Sequence, residues 1–224
     1  MICKECKINK KIIDNHNLVL FYGINEGLKD EIIQSKFKCQ KEISFKSTSE
    51  VDVLKNVSTF FDEITSRSFF DNKKIILINN VTNKLLNIIE QILEKKIFDI
   101  TFILNAGLLD KKSKIRNLFE TNKSLICIPF YEDKMITLEN LIKQFFISNK
   151  VKVSQEIINL IINKSSGNRK ILQNELKKIE PYLINKSDIK LDELKILLNS
   201  NEELNISDLV NYCLLKNERK TLFY

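Results

Sequence analysis

The sequence contains few residues that interrupt regular secondary structure: four glycines and two prolines in 224 residues. This scarcity excludes collagen-like chains, glycine-rich linkers and proline-rich disordered tracts, and it favours helices and strands joined by short polar turns. No uncharged apolar run reaches the roughly 18 residues of a transmembrane helix. The first residues, MICKECKINKK, lack the apolar core of a secretory signal. We therefore expect a cytoplasmic protein with no membrane partner.

Catalytic and metal-binding residue types are also scarce. His16 is the single histidine, which removes the general base from most Ser-His-Asp and Cys-His arrangements. Of the five cysteines only Cys3 and Cys6 lie close together, whereas a zinc ribbon needs a second pair of ligands. We expect reduced thiols, no metal site, no bound cofactor and no catalytic residue.

The charge of the chain is basic but evenly distributed. The formal net charge is +7, and the excess is spread along the sequence without a long basic run. Mild attraction to nucleic acid is consistent with this balance, but a dedicated DNA-binding stripe is not required by it.

Strand-length apolar runs alternate with segments of helical period up to residue 131. Four of these segments are buried apolar runs, at 17–23, 74–79, 100–105 and 125–130, and the fifth, at 42–46, is a short strand of alternating polar and apolar residues. Because no tight hairpin turn separates them, the alternation predicts an α/β fold with a five-stranded, mainly parallel sheet and helices on both faces.

The hydrophobic pattern changes after residue 131, and only helical periods follow. These lie at 138–148, 154–164, 168–182, 191–199 and from 207 onward. We predict an α/β domain at 1–135 and a small helical lid domain at 136–205. The last apolar stripe runs almost to Tyr224 without a helix stop signal. Residues 206–224 are therefore interpreted as the start of a truncated C-terminal helical domain.

The segment GINEGLKD follows the first predicted strand, at the position of a phosphate-binding loop. A working loop has four residues between its glycines, then Lys and a hydroxyl residue that ligates Mg²⁺. Here three residues separate Gly23 from Gly27, and Leu28 follows the second glycine, ahead of Lys29. Asp30 stands where the hydroxyl residue is needed and would repel a phosphate. We predict a degenerate loop that does not bind or hydrolyse ATP.

The third predicted strand agrees with this interpretation. In P-loop ATPases, acidic residues at the end of this strand hold Mg²⁺. Here the strand continues into Asn79 and Asn80, and no carboxylate follows. The residues that catalysis requires are therefore missing at two independent positions, the phosphate-binding loop and the end of the third strand.

Two further segments leave alternatives open. Phe69 and Phe70 are adjacent between a predicted helix and a strand, and they either join the core or form an apolar plug for a partner's pocket. Four basic residues follow the fourth strand: Lys111, Lys112, Lys114 and Arg116. They form either a solvated helix face or a contact with a phosphate backbone or a neighbouring subunit.

Four segments carry a resemblance to a known family: LVLFYGINEGL at 18–28, SFFDNKKIILI at 68–78, AGLLDKKSKIRNLFE at 106–120 and SSGNRKILQNELKKI at 165–179. The third is the most specific, because it is a long polar segment in a fixed order. With them the chain resembles the delta subunits of bacterial DNA polymerase III, which are clamp-loader proteins of the AAA+ superfamily.

The resemblance implies an AAA+-like fold without an ATPase site, which binds the ring-shaped sliding clamp (the beta subunit) and opens it or holds it open. Its clamp-binding hydrophobic pair falls on Phe69 and Phe70, where the family often has Leu-Phe. Asn105 and Arg169 fall at sensor-like positions and are expected to be structural.

The resemblance also implies partners. They are the gamma/tau and delta-prime loader subunits, bound mainly through the C-terminal collar, and primed DNA, reached through the complex. The chain would have no catalytic activity itself but would belong to a DNA-directed DNA polymerase holoenzyme, a nucleotidyltransferase. Three alternatives remain open: an active AAA+ ATPase motor subunit, a stand-alone nucleic-acid-binding module, and a structural fragment without activity.

Overall fold

The structure is a computed structural model that describes residues 16–38, 43–65, 73–95, 97, 99–198 and 214–215. The chain divides between Glu132 and Asp133 into two compact units, and each is described by itself. In the described residues, no helix is long and apolar enough to cross a membrane.

The first unit contains, among its described residues, β1 (Leu18–Gly23), β2 (Ile43–Ser49), β3 (Lys73–Asn79), β4 (Ile100–Asn105) and β5 (Ile126–Phe130). Its helices are α1 (Glu26–Ile32), α2 (Glu50–Lys55), α3 (Val57–Thr65), α4 (Leu86–Glu94) and α5 (Lys114–Thr121). A π-helical segment, Ile33–Lys38, extends α1, and a 3₁₀ turn, Asn83–Leu85, precedes α4.

The strands form one sheet in the order β2-β3-β4-β1-β5, and every neighbouring pair is parallel. In register, Leu20 of β1 lies opposite Leu104 of β4 and Cys127 of β5. The parallel α/β fold expected from the alternating apolar runs is confirmed. All strands therefore end at one edge, and β1 lies where the strand order reverses, the place where open α/β sheets bind ligands.

Both faces of the sheet are covered by helices. Alternate side chains of β1 point to opposite faces: Leu18, Leu20 and Tyr22 join one core cluster, whereas Val19 and Phe21 join another. The first cluster includes side chains from α3, α4 and α5, and the second includes residues from the π-helical extension of α1. Burial on both sides explains why β1, β4 and β5 are continuous apolar runs, whereas the edge strand β2, ISFKSTS, is half-exposed and partly polar.

The apolar residues of segment 49–65 keep one helical period, but the segment forms two helices in the structure. Ser49 caps α2, because its Oγ accepts a 3.2 Å hydrogen bond from the Asp52 N–H. Asn56 then leaves helical geometry, with φ −135° and ψ 61°, and α3 begins at the next residue. The apolar period continues across the break, so the pattern did not reveal it.

The second unit is helical where described: α6 (Met135–Ser148), α7 (Gln155–Ser165), α8 (Arg169–Ile179) and α9 (Leu191–Leu197), with a 3₁₀ turn at Glu180–Leu183. Its core is formed by the apolar faces of these helices and includes Phe146, Ile161 and Leu172. Of the predicted third segment at 206–224, the structure describes only 214–215, so that prediction lies outside the described residues.

Candidate functional site

The turn after β1 requires glycine at its first position. Gly23 has a φ of +124°, and a Cβ built on it would lie 2.1 Å from the Phe130 carbonyl oxygen. Its N–H donates a 2.9 Å hydrogen bond to the carbonyl of Gly107 in the loop after β4. The turn is therefore closed against both neighbouring strands, β4 and β5.

Backbone amides in this turn are already used inside the protein. Asn25 caps α1, since its Oδ1 accepts a 3.1 Å hydrogen bond from the Leu28 N–H and its Nδ2 donates to the Tyr131 carbonyl at 2.9 Å. The Asn25 N–H donates to Phe130 O at 3.4 Å, and the Glu26 N–H donates to Ile24 O at 2.9 Å. A phosphate-binding loop instead offers such N–H groups to its ligand.

The Lys29 ammonium is also used internally. It is fully buried and donates to the carbonyls of Gly23 at 2.7 Å and Ala106 at 2.6 Å, and to Glu26 Oε1 at 2.8 Å. These three acceptors match the three hydrogens of an ammonium group. In a working loop the lysine reaches the phosphates; here the side chain joins the ends of β1 and β4.

Burial lowers the pKa of Lys29 below its ordinary value of 10.5, and the hydrogen bond and charge of Glu26 offset this only in part. The unfolded chain therefore binds more protons than the native state between the two pKa values, and stability rises with pH in that window. Below the folded-state pKa, Lys29 is protonated in both states and adds no pH dependence.

We therefore predict that the stability difference between the wild-type protein and Lys29→Met grows in favour of the wild type as pH approaches 10.5. A neutral amine keeps two hydrogens, which are enough for the Gly23 and Ala106 carbonyls. Urea unfolding of both proteins across alkaline pH measures the difference, since the other titrating groups are shared. A difference that stays flat or falls would contradict the buried-ammonium assignment.

A row of neutral polar side chains stands at the carboxyl ends of β2, β3 and β4. Asn105 Nδ2 donates to Asn79 Oδ1 at 3.2 Å, and Asn79 Nδ2 donates to Ser47 Oγ at 3.0 Å. Asn79 thus occupies the end of β3, where an ATPase carries carboxylates, and an amide brings no negative charge for Mg²⁺. Among the described residues, no group of three or more His, Cys, Asp or Glu is placed to hold a metal.

The predicted basic cluster divides into two parts. Lys111, Lys112 and Lys114 are exposed, whereas the Arg116 side chain is only 16% exposed and pairs with Glu120 at 2.7 Å. Arg116 Nη1 also donates to the Leu109 carbonyl at 3.0 Å. The guanidinium group of Arg116 therefore holds the loop in place and is not directed at an external partner.

Two buried side chains near Arg116, those of Tyr22 and Cys127, are not reactive. Arg116 lies over the Tyr22 ring at 4.8 Å, and burial raises the pKa of Tyr22 to about 12. Burial also raises the pKa of the Cys127 thiol to about 12. Both stay protonated at physiological pH, so neither supplies a nucleophile.

Arg169 begins α8 and is held within the second unit. Its Nη1 lies 3.0 Å from Asp133 Oδ1, and both side chains are more than nine-tenths buried. Asn168 caps the same helix by accepting from the N–H groups of Lys170 and Ile171. The sequence motif drew attention to Arg169, but no pattern indicated Asp133 as its partner.

Phe69 and Phe70 lie outside the described residues, between the end of α3 at Thr65 and the start of β3 at Lys73. Their assignment as a clamp-binding pair stays a prediction. The residues that the structure brings together are those around the turn after β1: Gly23, Lys29 and Asn105 from the sequence prediction, with Asn25 and Asn79, which it had not marked as site residues.

No family model matches the chain, and no curated protein matches it in sequence. Among solved structures, the DNA clamp loader delta protein of Bacillus subtilis is 16% identical with a TM-score of 0.55, and the match covers 95% of this chain and 67% of that protein.

The RuvB Holliday junction branch migration motor of Thermotoga maritima is also similar in fold. It is 16% identical with a TM-score of 0.53, and the match covers 85% of this chain and 64% of RuvB. This chain thus spans about two thirds of the length of either neighbour. At such low identity the likeness establishes the fold, an AAA+-like α/β architecture, and leaves activity to be argued from the site.

Proposed function

We propose that this chain is a clamp-loader subunit of the delta type, which binds a sliding clamp and favours its open form without using ATP itself. The observation that carries the proposal is the internally occupied phosphate loop. Lys29 donates to Gly23 O and Ala106 O, and the neighbouring backbone N–H groups donate to carbonyl groups of the protein. An AAA+-like fold with such a loop is suited to binding a partner rather than to phosphate chemistry.

The absence of a carboxylate at the end of β3 argues against the alternative of an ATPase motor subunit. Asn79 hydrogen-bonds to Ser47 and Asn105, and none of these side chains carries the charge that balances Mg²⁺. The likeness to RuvB supports only the shared fold, because the catalytic groups of a motor are not found at these positions.

The proposed mechanism is a shift of equilibrium. A clamp ring is closed by its own subunit interfaces, and a protein that binds the open form more tightly shifts the population by that difference in affinity. Phe69 and Phe70 are the proposed anchors of this contact. The gamma/tau and delta-prime subunits and primed DNA are the proposed partners in the complete loader, which acts in the cytoplasm.

The experiment is binding of the full chain to the sliding clamp of the same organism, followed by size-exclusion chromatography with and without Mg·ATP. We expect a stable complex in both conditions and no ATP turnover above background. An active loader motor subunit serves as the positive control for turnover. ATP hydrolysis by the purified chain, or a clamp complex that forms only with ATP, would contradict the proposal.

A further inference from the structure

The edge strand β2 has one side without a partner strand in the described part of the chain. It pairs along its whole length with β3, from Ile43 opposite Lys73 to Ser49 opposite Asn79, and stands at the end of the strand order. Every second residue of an edge strand directs its N–H and C=O groups away from the neighbouring strand. The outer side of β2 therefore offers backbone donors and acceptors to an added strand.

A pocket of about 150 Å³ lies beside this edge, where α2 ends and α3 begins. The backbone leaves helical geometry at Asn56, which separates the two helices. The floor is apolar and consists of the buried side chains of Val53, Phe60 and Ile76. The rim is polar and includes Lys46, Asp52 and Glu63. This α2–α3 pocket has the size of one side chain and is too small for a cofactor.

The rim of the α2–α3 pocket is acidic. Glu63 accepts a 2.6 Å hydrogen bond from the Lys46 ammonium, so these two charges balance each other. Asp52 accepts a hydrogen bond from Ser49 Oγ and has no ion pair among the described residues. Residues 50–65 contain four acidic residues and one lysine, a net charge of −3 in a chain of net charge +7. A cationic side chain is therefore favoured in this pocket.

One extended segment can reach both the edge of β2 and the α2–α3 pocket. Lys46 and Thr48 of β2 line the pocket, whereas Phe45 packs on the opposite face of the sheet. A strand added beside β2 lies about 4.8 Å from it, and its side chains follow the same alternation. A long side chain opposite Lys46 or Thr48 reaches the pocket, and its two neighbours lie on the face of Phe45.

We propose that the edge of β2 binds an extended segment of a partner protein, which places an arginine side chain in the α2–α3 pocket. Backbone hydrogen bonds to the edge supply affinity, and the pocket supplies specificity. The guanidinium group suits the Asp52 carboxylate and the side-chain oxygens of Thr48 and Asn56, while its aliphatic stem covers the apolar floor. A lysine fits less well, because its ammonium is more strongly hydrated and cannot pair with a carboxylate in bidentate fashion.

This contact goes beyond clamp binding and does not depend on it. The test is fluorescence anisotropy of labelled seven-residue peptides titrated with the full chain. Valine and threonine alternate in each peptide, except at the central position, which is arginine, leucine or glutamate. The test variant is Asp52→Asn, which removes the charge and keeps the shape. The matched control is Asp62→Asn, the same change at an exposed aspartate of α3 that does not line the pocket.

We expect the arginine peptide to bind about tenfold or more tightly than the leucine and glutamate peptides, because it alone forms charge-assisted hydrogen bonds in the pocket. Asp52→Asn should weaken its binding about tenfold. Asp62→Asn should weaken it less than about twofold, because salt screens an exposed charge outside the contact. Thermal unfolding checks that both variants remain folded.

The contact with the strand edge is tested separately by N-methylation of alternate backbone nitrogens in the arginine peptide. Only one edge of an added strand faces β2. Methylation of the N–H groups on that edge should abolish binding, whereas methylation on the other edge should be tolerated. Amide hydrogen exchange of β2 should also become slower when the unmethylated peptide is bound.

Several results would overturn the proposal: no binding of the arginine peptide, equal binding of the three peptides, equal losses in the two variants, or equal effects of the two methylation patterns. Binding of N-acetyl-arginine amide as tight as that of the peptide would make the pocket a small-ligand site. A dimer of the chain that the peptide dissociates would assign the edge to a second copy. Failure to bind the clamp, with arginine-peptide binding retained, would contradict the proposed function alone.

Discussion

Lys29→Met is expected to lower the free energy of unfolding by about 3 kcal/mol, because it leaves two buried carbonyl groups without a donor. Methionine is similar to lysine in length and fills the same space, so the lost hydrogen bonds rather than a cavity determine the result. The abandoned acceptors are the carbonyl oxygens of Gly23 and Ala106, each within 2.7 Å of the ammonium nitrogen. Urea unfolding at neutral pH measures the change.

The matched control is Lys55→Met, at an exposed lysine on α2. It makes the same chemical change at the surface, where we expect an effect within about 0.5 kcal/mol. Similar effects of the two substitutions would show that the Lys29 hydrogen bonds do not contribute to stability. A more stable Lys29→Met protein would show that the cost of burying the ammonium exceeds the value of its contacts.

Lys29 also connects the turn after β1 to the loop after β4. Its ammonium donates to the carbonyls of Gly23 and of Ala106, the first residue of that loop. In a nucleotide-binding loop a ligand would occupy the lysine, so this connection would compete with phosphate binding. In this structure the ammonium has protein acceptors on both sides of the connection, which agrees with the proposed ATP-independent binding.

The sheet was predictable because parallel strands buried on both faces leave a clear pattern. The run ITFILN is buried or half-buried along its whole length in β4, and helical periods separate such runs. Because the strands are parallel, their carboxyl ends meet at one edge, whereas the strand order came only from the structure. The location of the degenerate loop at this edge could therefore be predicted.

The hydrogen-bond partners of the site residues were harder to predict from the sequence. The sequence shows a lysine near a glycine turn, but only the fold shows that Ala106 O lies within reach of it, 77 residues away. Likewise, the sequence does not show that Asn83 accepts a hydrogen bond from Ser113, 30 positions later. One signal was present and not used: Arg116 and Glu120 are four residues apart on a helix, the spacing of an ion pair.

The largest expected effect on function is that of Phe69→Ala combined with Phe70→Ala. If the two rings are the anchors of the clamp contact, each contributes at least about 2 kcal/mol, and the double change weakens clamp binding roughly a thousandfold. Surface plasmon resonance with immobilised clamp measures the affinity. The matched control is Ile184→Ala with Ile196→Ala, which removes two apolar side chains that are each 70% exposed, and it should bind clamp normally.

Stability separates the two interpretations of the phenylalanine pair. Rings that form a plug contribute little to the fold, so the double variant should keep the urea midpoint of the wild type while losing the clamp. Rings buried in the core would instead cost about 3–5 kcal/mol each on truncation, and clamp binding would fall only with the folded fraction. A destabilised variant, or a stable one with normal clamp affinity, would therefore refute the plug, and the contact would have to be sought on another surface.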